Sequence, residues 1–300
     1  MDKIINKIAE ELKVKNTQVE NAVNLIDEGN TIPFIARYRK EATGGLSDEI
    51  LRDLGERLTY LRNLETRKAE VIKSIDEQGK LTDELTIAIA SAETLAEVED
   101  LYRPFKQKKK TRATVAKAKG LEPLAEIIIA QEETTPINEI AQKFVNIDIL
   151  SDEDKKNKDK VVATPEDAIQ GALDIIAENI SDNAKFRKYI KKVCYREGTI
   201  VTTATNPEEK SNYEMYYNFS ELVFRLPSHR ILAINRGEKE NFLKVSINKP
   251  EDKILFYMQR DIIKGNTQFK EMLENTILDA FKRLIEPSID REIRSDLTEK

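Results

Sequence analysis

Positive charge is concentrated in one short stretch of this chain. Residues 101–120, LYRPFKQKKKTRATVAKAKG, carry eight Lys or Arg side chains and no Asp or Glu, although the 300-residue chain has a formal net charge of −5. Most of these cations follow Pro104 on a predicted loop, and a flexible cationic loop has the charge and reach that phosphate contacts require. The pattern predicts nucleic-acid contacts that do not depend on base sequence. The predicted contact residues are Lys106, Lys108, Lys109, Lys110, Arg112, Lys117 and Lys119.

The same stretch has a second interpretation. A cationic loop is often simply solvated and kept polar for solubility, or it pairs with acidic helices around it. The chain as a whole has 54 Asp and Glu against 49 Lys and Arg, so acidic neighbours are plentiful. Both interpretations stay open at the level of the sequence.

A second group of cations has helical spacing. In NAKFRKYIKKVCYRE, apolar residues recur at i, i+3, i+4, i+7 and i+8 from Phe186 to Cys194, which predicts one buried stripe. An ordinary amphipathic helix with a Lys-rich exposed face explains this spacing and is the more common case. Cys194 lies on the stripe and is predicted to be an inert core thiol. Five cations are predicted to point outward, where they could follow a phosphate backbone: Lys185, Arg187, Lys188, Lys191 and Lys192, with Lys185, Lys188 and Lys192 as candidate contacts.

A third cationic segment precedes two adjacent glycines. In ARYRKEATGGLSDE, Arg37 and Arg39 come before the Gly-Gly pair, and a helix capped by Ser47 follows. Free N–H groups and the helix dipole at such a turn could bind an anion. The segment lacks the preceding strand and the Lys-Ser/Thr pair of a phosphate-binding loop, which favours a tight connection that packs IPFIA against the long helix. Arg37 and Arg39 are therefore secondary candidates for contacts with nucleic acid or with acidic surfaces of a partner.

Residue types for catalysis are scarce. The chain has one His, His229, and one Cys, which excludes a multi-His or multi-Cys metal site. Acidic residues such as Glu97 and Asp100 have charged neighbours on predicted helices, the pattern of solvated faces. The aromatic run NYEMYYNF, residues 212–219, could stack on unpaired bases, but core or interface packing is favoured. We expect no enzyme activity, no cofactor and no metal.

The elements that must position these residues are predicted to be mainly helices. Apolar residues recur near a 3.6-residue period over the first two hundred residues, with capping signals at Ser47 and at Thr164 before a proline. On the long helix predicted after Ser47, the recurring residues form a leucine stripe, Leu51, Leu54, Leu58, Leu61 and Leu64. The runs TIVTTAT and FLKVSI predict a small β element around residues 199–247. We expect a mainly α fold, a multi-helix scaffold with helix-turn-helix-like pairs. Its domains are predicted as residues 1–198, all helical, and residues 199–300, helical with short strands.

The last segment, from Pro287 to Lys300, is predicted to be a helix that packs incompletely. We expect its apolar positions, Ile289, Ile293 and Leu297, to need a packing partner that a further domain would supply.

Composition indicates a soluble chain. Charged residues make up 34% of it, the N-terminus has no apolar run of the signal-peptide type, and no segment approaches about 18 uncharged apolar residues. We expect a cytoplasmic location and no membrane contact.

Several long motifs resemble the N-terminal part of the bacterial Tex family of transcription accessory proteins. The resemblance spans nearly the whole chain and rests on IPFIARYRKEATGGLSDEILRDLGERLTYLRNLETRK, TLAEVEDLYRPFKQKKKTRATVAKAKGLEPLA and FRLPSHRILAINRGEKENFLKVSI. Members of that family continue into a YqgF-type RNase H-like domain, helix-hairpin-helix modules and an OB-fold RNA-binding domain, none of which these residues contain. The resemblance implies a helical N-terminal scaffold of a nucleic-acid-binding transcription factor.

Two hypotheses of different classes follow. In the first, this region contributes phosphate contacts to nucleic acid, RNA or DNA. In the second, it is an interaction scaffold for a protein of the transcription machinery and binds no nucleic acid itself.

Overall fold

The computed structural model describes residues 2–106, 110–148, 150–151, 157 and 159–299. Helices dominate these residues, and three short strands form one small sheet. The predicted mainly α fold with a small β element is therefore confirmed. None of the helices in the described ranges is long and apolar enough to cross a membrane.

The chain divides into two compact units, Met1–Tyr102 and Arg103–Lys300. The predicted domain boundary after residue 198 stays a prediction, although the β character does begin at Thr199 as expected. The helices of the first unit are α1 (Asp2–Leu12), α2 (Asn16–Asp27), α3 (Ile32–Tyr38), α4 (Asp48–Glu77), α5 (Asp83–Ser91) and α6 (Leu95–Tyr102).

The long helix α4 organises the first unit. The Ser47 hydroxyl accepts a hydrogen bond from the backbone N–H of Ile50 at 3.2 Å, so the predicted N-cap is present. Gly79, with φ +65°, supplies the left-handed residue that ends the helix. The other five helices pack around α4. Its buried side is the leucine stripe that the sequence predicted, Leu51, Leu54, Leu58, Leu61 and Leu64.

In the second unit the central element is α10. It begins with the expected Thr164 cap, whose hydroxyl accepts from the Asp167 N–H at 3.2 Å. Its buried face is lined with small and branched residues, and neighbouring helices pack on several sides of it. The helices of this unit are α7 (Arg112–Ala118), α8 (Glu122–Ala130), α9 (Ile137–Gln142), α10 (Pro165–Asp182), α11 (Ala184–Glu197), α12 (Ser228–Lys239), α13 (Glu251–Ile262), α14 (Lys270–Asp279) and α15 (Glu286–Glu299).

The sheet is antiparallel throughout, with strand order β2-β1-β3. Its strands are β1 (Thr199–Ala204), β2 (Asn218–Leu222) and β3 (Leu243–Asn248). Thr199 pairs with Leu222 of β2 and with Asn248 of β3, so β1 is the central strand. β1 follows α11 directly, which ties the sheet to the core of the second unit.

The prediction for the last helix was wrong. Ile289 and Ile293 are fully buried, and Leu297 is 4% exposed. α15 continues from α14 through a π-helical stretch, Ala280–Ile285, and packs against α11 and α12. The apolar positions of α15 therefore have partners within this unit.

Candidate nucleic-acid interface

Three of the predicted contact residues lie together beside α7. Lys110, Arg112 and Lys119 line an open groove of about 670 Å³ between α7 and α10, here called the α7 groove. Arg112 is exposed at the first position of α7, and Lys119 is half-buried just after its last residue. Arg112 and Lys119 thus flank α7, at its first residue and just after its last, and both line the groove.

Local sequence explains how α7 forms. The Thr111 hydroxyl accepts from the Thr114 N–H at 3.1 Å, and the Thr114 hydroxyl accepts from the Thr111 N–H at 2.7 Å, a reciprocal cap. Gly120, with φ +76°, ends the helix. Gly171 of α10 leaves room for the residue just before α8, because a Cβ at Gly171 would lie 2.4 Å from Cδ1 of Leu121.

The opposite wall of the α7 groove is acidic. Asp167 and Asp174 of α10 line it. Burial raises the pKa of Asp174 above its ordinary value, while the charges of Arg112 and Arg283 act in the other direction. An anion in the groove would be attracted by one wall and repelled by the other, so any phosphate affinity here is weak.

Two cations of this stretch, one of them in the α7 groove, have carboxylate partners. Lys110 forms an ion pair with Asp159, and Lys117 lies 3.6 Å from Glu122. Lys106 is exposed after a 3₁₀ turn, Arg103–Phe105. Lys108 and Lys109 fall outside the described residues.

The three candidate lysines of α11 are exposed. Lys185, Lys188 and Lys192 share one side of the helix at i, i+3 and i+7 spacing. Lys185 pairs with Asp261 of α13, and that hydrogen bond raises the lysine pKa. Its ammonium also lies 6.0 Å from the centre of the Tyr257 ring.

Two further cations of α11 do not point outward as predicted. Arg187 is fully buried and pairs with Glu292 of α15, and it donates to the Ser288 hydroxyl at 3.2 Å. Lys191, with 15% of its side chain exposed, lies 2.8 Å from the same carboxylate. The buried side of α11 is wider than its apolar stripe because α15 supplies polar partners for Arg187 and Lys191. The spacing of apolar residues within α11 does not predict these partners.

Arg37 and Arg39 lie in the first unit, and both are exposed. The Gly-Gly turn after them is a connection rather than an anion site: the Ser47 hydroxyl already caps α4, and Asp48 and Glu49 occupy its first turn, where they repel anions. Sequence reasoning missed the aromatic neighbours of these arginines, Phe34 and Tyr38, which are exposed on α3. The signal was present as i, i+4 spacing within IPFIARY.

Other chemistry is limited in the part of the chain that the structure describes. Tyr213 and Tyr216 are buried, so that aromatic run packs in the core as favoured. Cys194 is buried too, and desolvation raises the pKa of its thiol to about 12. No group of three or more His, Cys, Asp or Glu side chains in the described ranges is placed to hold a metal ion. His229 is exposed in the first turn of α12.

Comparison with known proteins gives two family matches. Residues 2–76 match the family described as Tex-like protein N-terminal domain, and residues 132–300 match the Tex central region-like family. Three relatives illustrate the range of similarity. Uncharacterized protein YdcI of Bacillus subtilis is 46% identical over 98% of this chain and 40% of its own length. Transcriptional accessory protein Tex of Neisseria gonorrhoeae is 40% identical over 82% of this chain and 31% of its own length. Human S1 RNA-binding domain-containing protein 1 is 26% identical over 98% of this chain and 30% of its own length. The chain thus spans less than half the length of these relatives.

Proposed function

Because the chain belongs to the Tex family, we propose that it makes weak, sequence-independent contacts with the phosphates of RNA or DNA. In the same proposal, its helices are a scaffold that orients the remaining parts of a transcription accessory factor. Two relatives support this class of function by name, one as a transcriptional accessory protein and one as an RNA-binding domain-containing protein.

The observation that carries the proposal is the cationic wall of the α7 groove. Lys110, Arg112 and Lys119 line one side of a cavity of about 670 Å³ that is open to solvent. Such an arrangement reaches phosphate oxygens without reading base edges, so it predicts no sequence preference. The facing carboxylates of Asp167 and Asp174 keep the affinity low.

The lysine row of α11 is a second group of exposed cations in the same unit. Lys185, Lys188 and Lys192 extend over about 10 Å of helix, which is long enough to meet more than one phosphate of a strand. Lys185 is partly neutralised by Asp261, so the row supports binding less than its residue count indicates.

A charge-reversal experiment tests the proposal. The triple variant Lys110→Glu, Arg112→Glu, Lys119→Glu is compared with the matched control Lys210→Glu, Lys239→Glu, Lys244→Glu, whose three residues are exposed in the same unit. Affinity for duplex DNA and single-stranded RNA is measured by fluorescence anisotropy in about 50 mM salt. We expect the first variant to lose at least about tenfold in affinity for all sequences alike, and the control to lose much less.

The protein-scaffold hypothesis predicts a different result. The unmutated chain would then bind no nucleic acid in about 50 mM salt, and neither variant would change that. An equal loss in both triple variants would also count against the α7 groove, because it would indicate a general effect of net charge.

A further inference from the structure

The helix α3 presents two aromatic rings to solvent. Its inner side packs on α4, and Ile35 on that side is fully buried. Ile32 packs against Gly55 of α4, where an added Cβ would lie only 3.1 Å from Cδ1 of Ile32. Phe34 and Tyr38, four residues apart, lie on the outer side and are 38% and 62% exposed. Their ring centres are 5.2 Å apart with an angle of 46° between the planes.

Positive charge surrounds these rings. The Arg39 guanidinium lies 5.8 Å from the centre of the Phe34 ring. Arg37 and Lys40, neighbours of Tyr38 and Arg39 in the chain, are also exposed. From Gly29 to Ser47 the sequence contains a single acid, Glu41.

The loop after α3 is held in place by the side chains of α2. Asn21 donates to the carbonyl of Ala42 at 2.9 Å, and Gln18 donates to the carbonyl of Gly44 at 2.9 Å. Thr43 is fully buried between these two contacts. A ligand at this surface therefore meets a backbone that is already ordered, which lowers the entropic cost of binding.

We infer that Phe34 and Tyr38 stack on unpaired bases of single-stranded RNA or DNA, while Arg37, Arg39 and Lys40 contact the adjoining phosphates. These five residues are called the α3 platform. Aromatic faces combined with cations are how proteins bind single strands without sequence preference. Paired bases are stacked within a duplex and offer no face to the rings, so the platform distinguishes single strands from duplexes. This inference goes beyond the proposed function, because it concerns the other unit of the chain and adds contacts with bases.

The absence of tryptophan from the sequence allows a direct test. Tyr38→Trp keeps an aromatic ring and creates the sole tryptophan, whose fluorescence is quenched when a base stacks on it. The matched control is Phe256→Trp, at a ring that is 64% exposed on α13. Each variant of the 300-residue chain is titrated with oligothymidylate of about 12 nucleotides and with a duplex of equal length.

We expect the single strand to quench the tryptophan fluorescence of the Tyr38→Trp protein and to leave the control unquenched, while the duplex quenches neither. The double variant Phe34→Ala, Tyr38→Ala should bind the single strand about tenfold or more weakly and the duplex unchanged. Tyr38→Phe, which keeps the ring, should retain single-strand affinity.

The outcomes separate this inference from the phosphate proposal. If Tyr38→Trp is quenched while the reversals in the α7 groove alter nothing, the platform stands and the α7 groove fails as a phosphate site. If those reversals weaken binding but Tyr38→Trp stays unquenched at saturation, the platform is overturned and the surface is left to a protein partner. Equal quenching by duplex and single strand would overturn it as well.

Discussion

Glu292 of α15 is the shared carboxylate partner of three cations of the second unit. Its carboxylate pairs with Arg187, lies 2.8 Å from Lys191 and is 3.4 Å from Arg103. It also accepts from the Ser288 hydroxyl at 3.0 Å. Because Arg187 is fully buried, its charge is tolerated only with such a partner nearby.

The substitution Glu292→Gln should destabilise the chain by about 2–3 kcal/mol, because it removes a half-buried carboxylate from a fully buried arginine that stays charged. Urea unfolding followed by circular dichroism measures the change. The control is Glu77→Gln, which removes an exposed partner 3.9 Å from Lys73 and should cost at most about 0.5 kcal/mol. An equal loss in the free energy of unfolding in the two variants would show that the ion pairs of Glu292 stabilise the fold no more than an exposed pair does.

The contribution of Glu292 should depend on pH in a definite direction. Burial acts to raise its pKa, but the hydrogen bond from Lys191 and the charge of Arg187 outweigh burial and hold the pKa below the ordinary 4.5. A carboxyl whose folded-state pKa is lowered stabilises the fold above its unfolded pKa and loses that effect as the pH falls through the folded value. The stability difference between the unmutated chain and Glu292→Gln should therefore be constant above about pH 5.5 and shrink below pH 4.5. A difference that stays constant down to about pH 3 would contradict this.

Cys194 should be unreactive in the folded protein. Desolvation raises the pKa of this buried thiol to about 12, so almost no thiolate exists at neutral pH and reagents have no access. We expect an aromatic disulfide reagent to modify Cys194 only at the rate of unfolding, and rapidly in urea. Fast modification without denaturant would place the thiol at an accessible surface.

At the scale of elements, α11 shows where a periodic pattern is informative. The predicted stripe is correct for Phe186, Ile190 and Cys194, all of which are buried. The outward assignment fails at Arg187 and Lys191 because their partner, Glu292, comes about a hundred residues later in the chain. The periodic pattern assigns polar residues to the exposed side of a helix. It cannot show that a charged residue is buried because another element supplies its counter-charge.

The helix α15 should be among the stable parts of the second unit. Ile293 is fully buried there, so Ile293→Ala should cost about 2–5 kcal/mol through lost burial and a cavity. The matched control is Leu232→Ala on α12, where the side chain is 58% exposed and the cost should stay within about 0.5 kcal/mol.

Amide hydrogen exchange gives an independent measurement on the same helix. Amides of the middle of α15 should exchange as slowly as those of α14, with which α15 is continuous through the π-helical stretch. Exchange as fast as at the chain ends would restore the expectation that this helix packs incompletely.

At the scale of the whole molecule, net charge limits the nucleic-acid binding that we propose. The chain carries −5 overall, and Lys110, Lys117 and Lys185 already have carboxylate partners. If binding neutralises roughly four or five phosphates, the slope of log K against log salt on duplex DNA should be near −4. Affinity should then be poor by about 200 mM salt. The measurement is a salt titration of duplex binding by anisotropy, and a slope near zero would rule out phosphate contacts as the source of affinity.

The sequence by itself determined the helical class, the caps at Ser47 and Thr164, the leucine stripe of α4 and the onset of the sheet at Thr199. These features depend on contacts within a few residues, namely caps, periodicity and β-branched runs, so neighbouring residues carry the full signal. Only the tertiary structure decided that α15 is buried, that Arg187 is an interior charge and that Phe34 and Tyr38 form an exposed pair. It also decided which cations share the α7 groove and which have carboxylate partners. Exposure and charge pairing depend on which distant elements come to lie beside a residue, and burial on folding is a property of the assembled core rather than of any local pattern.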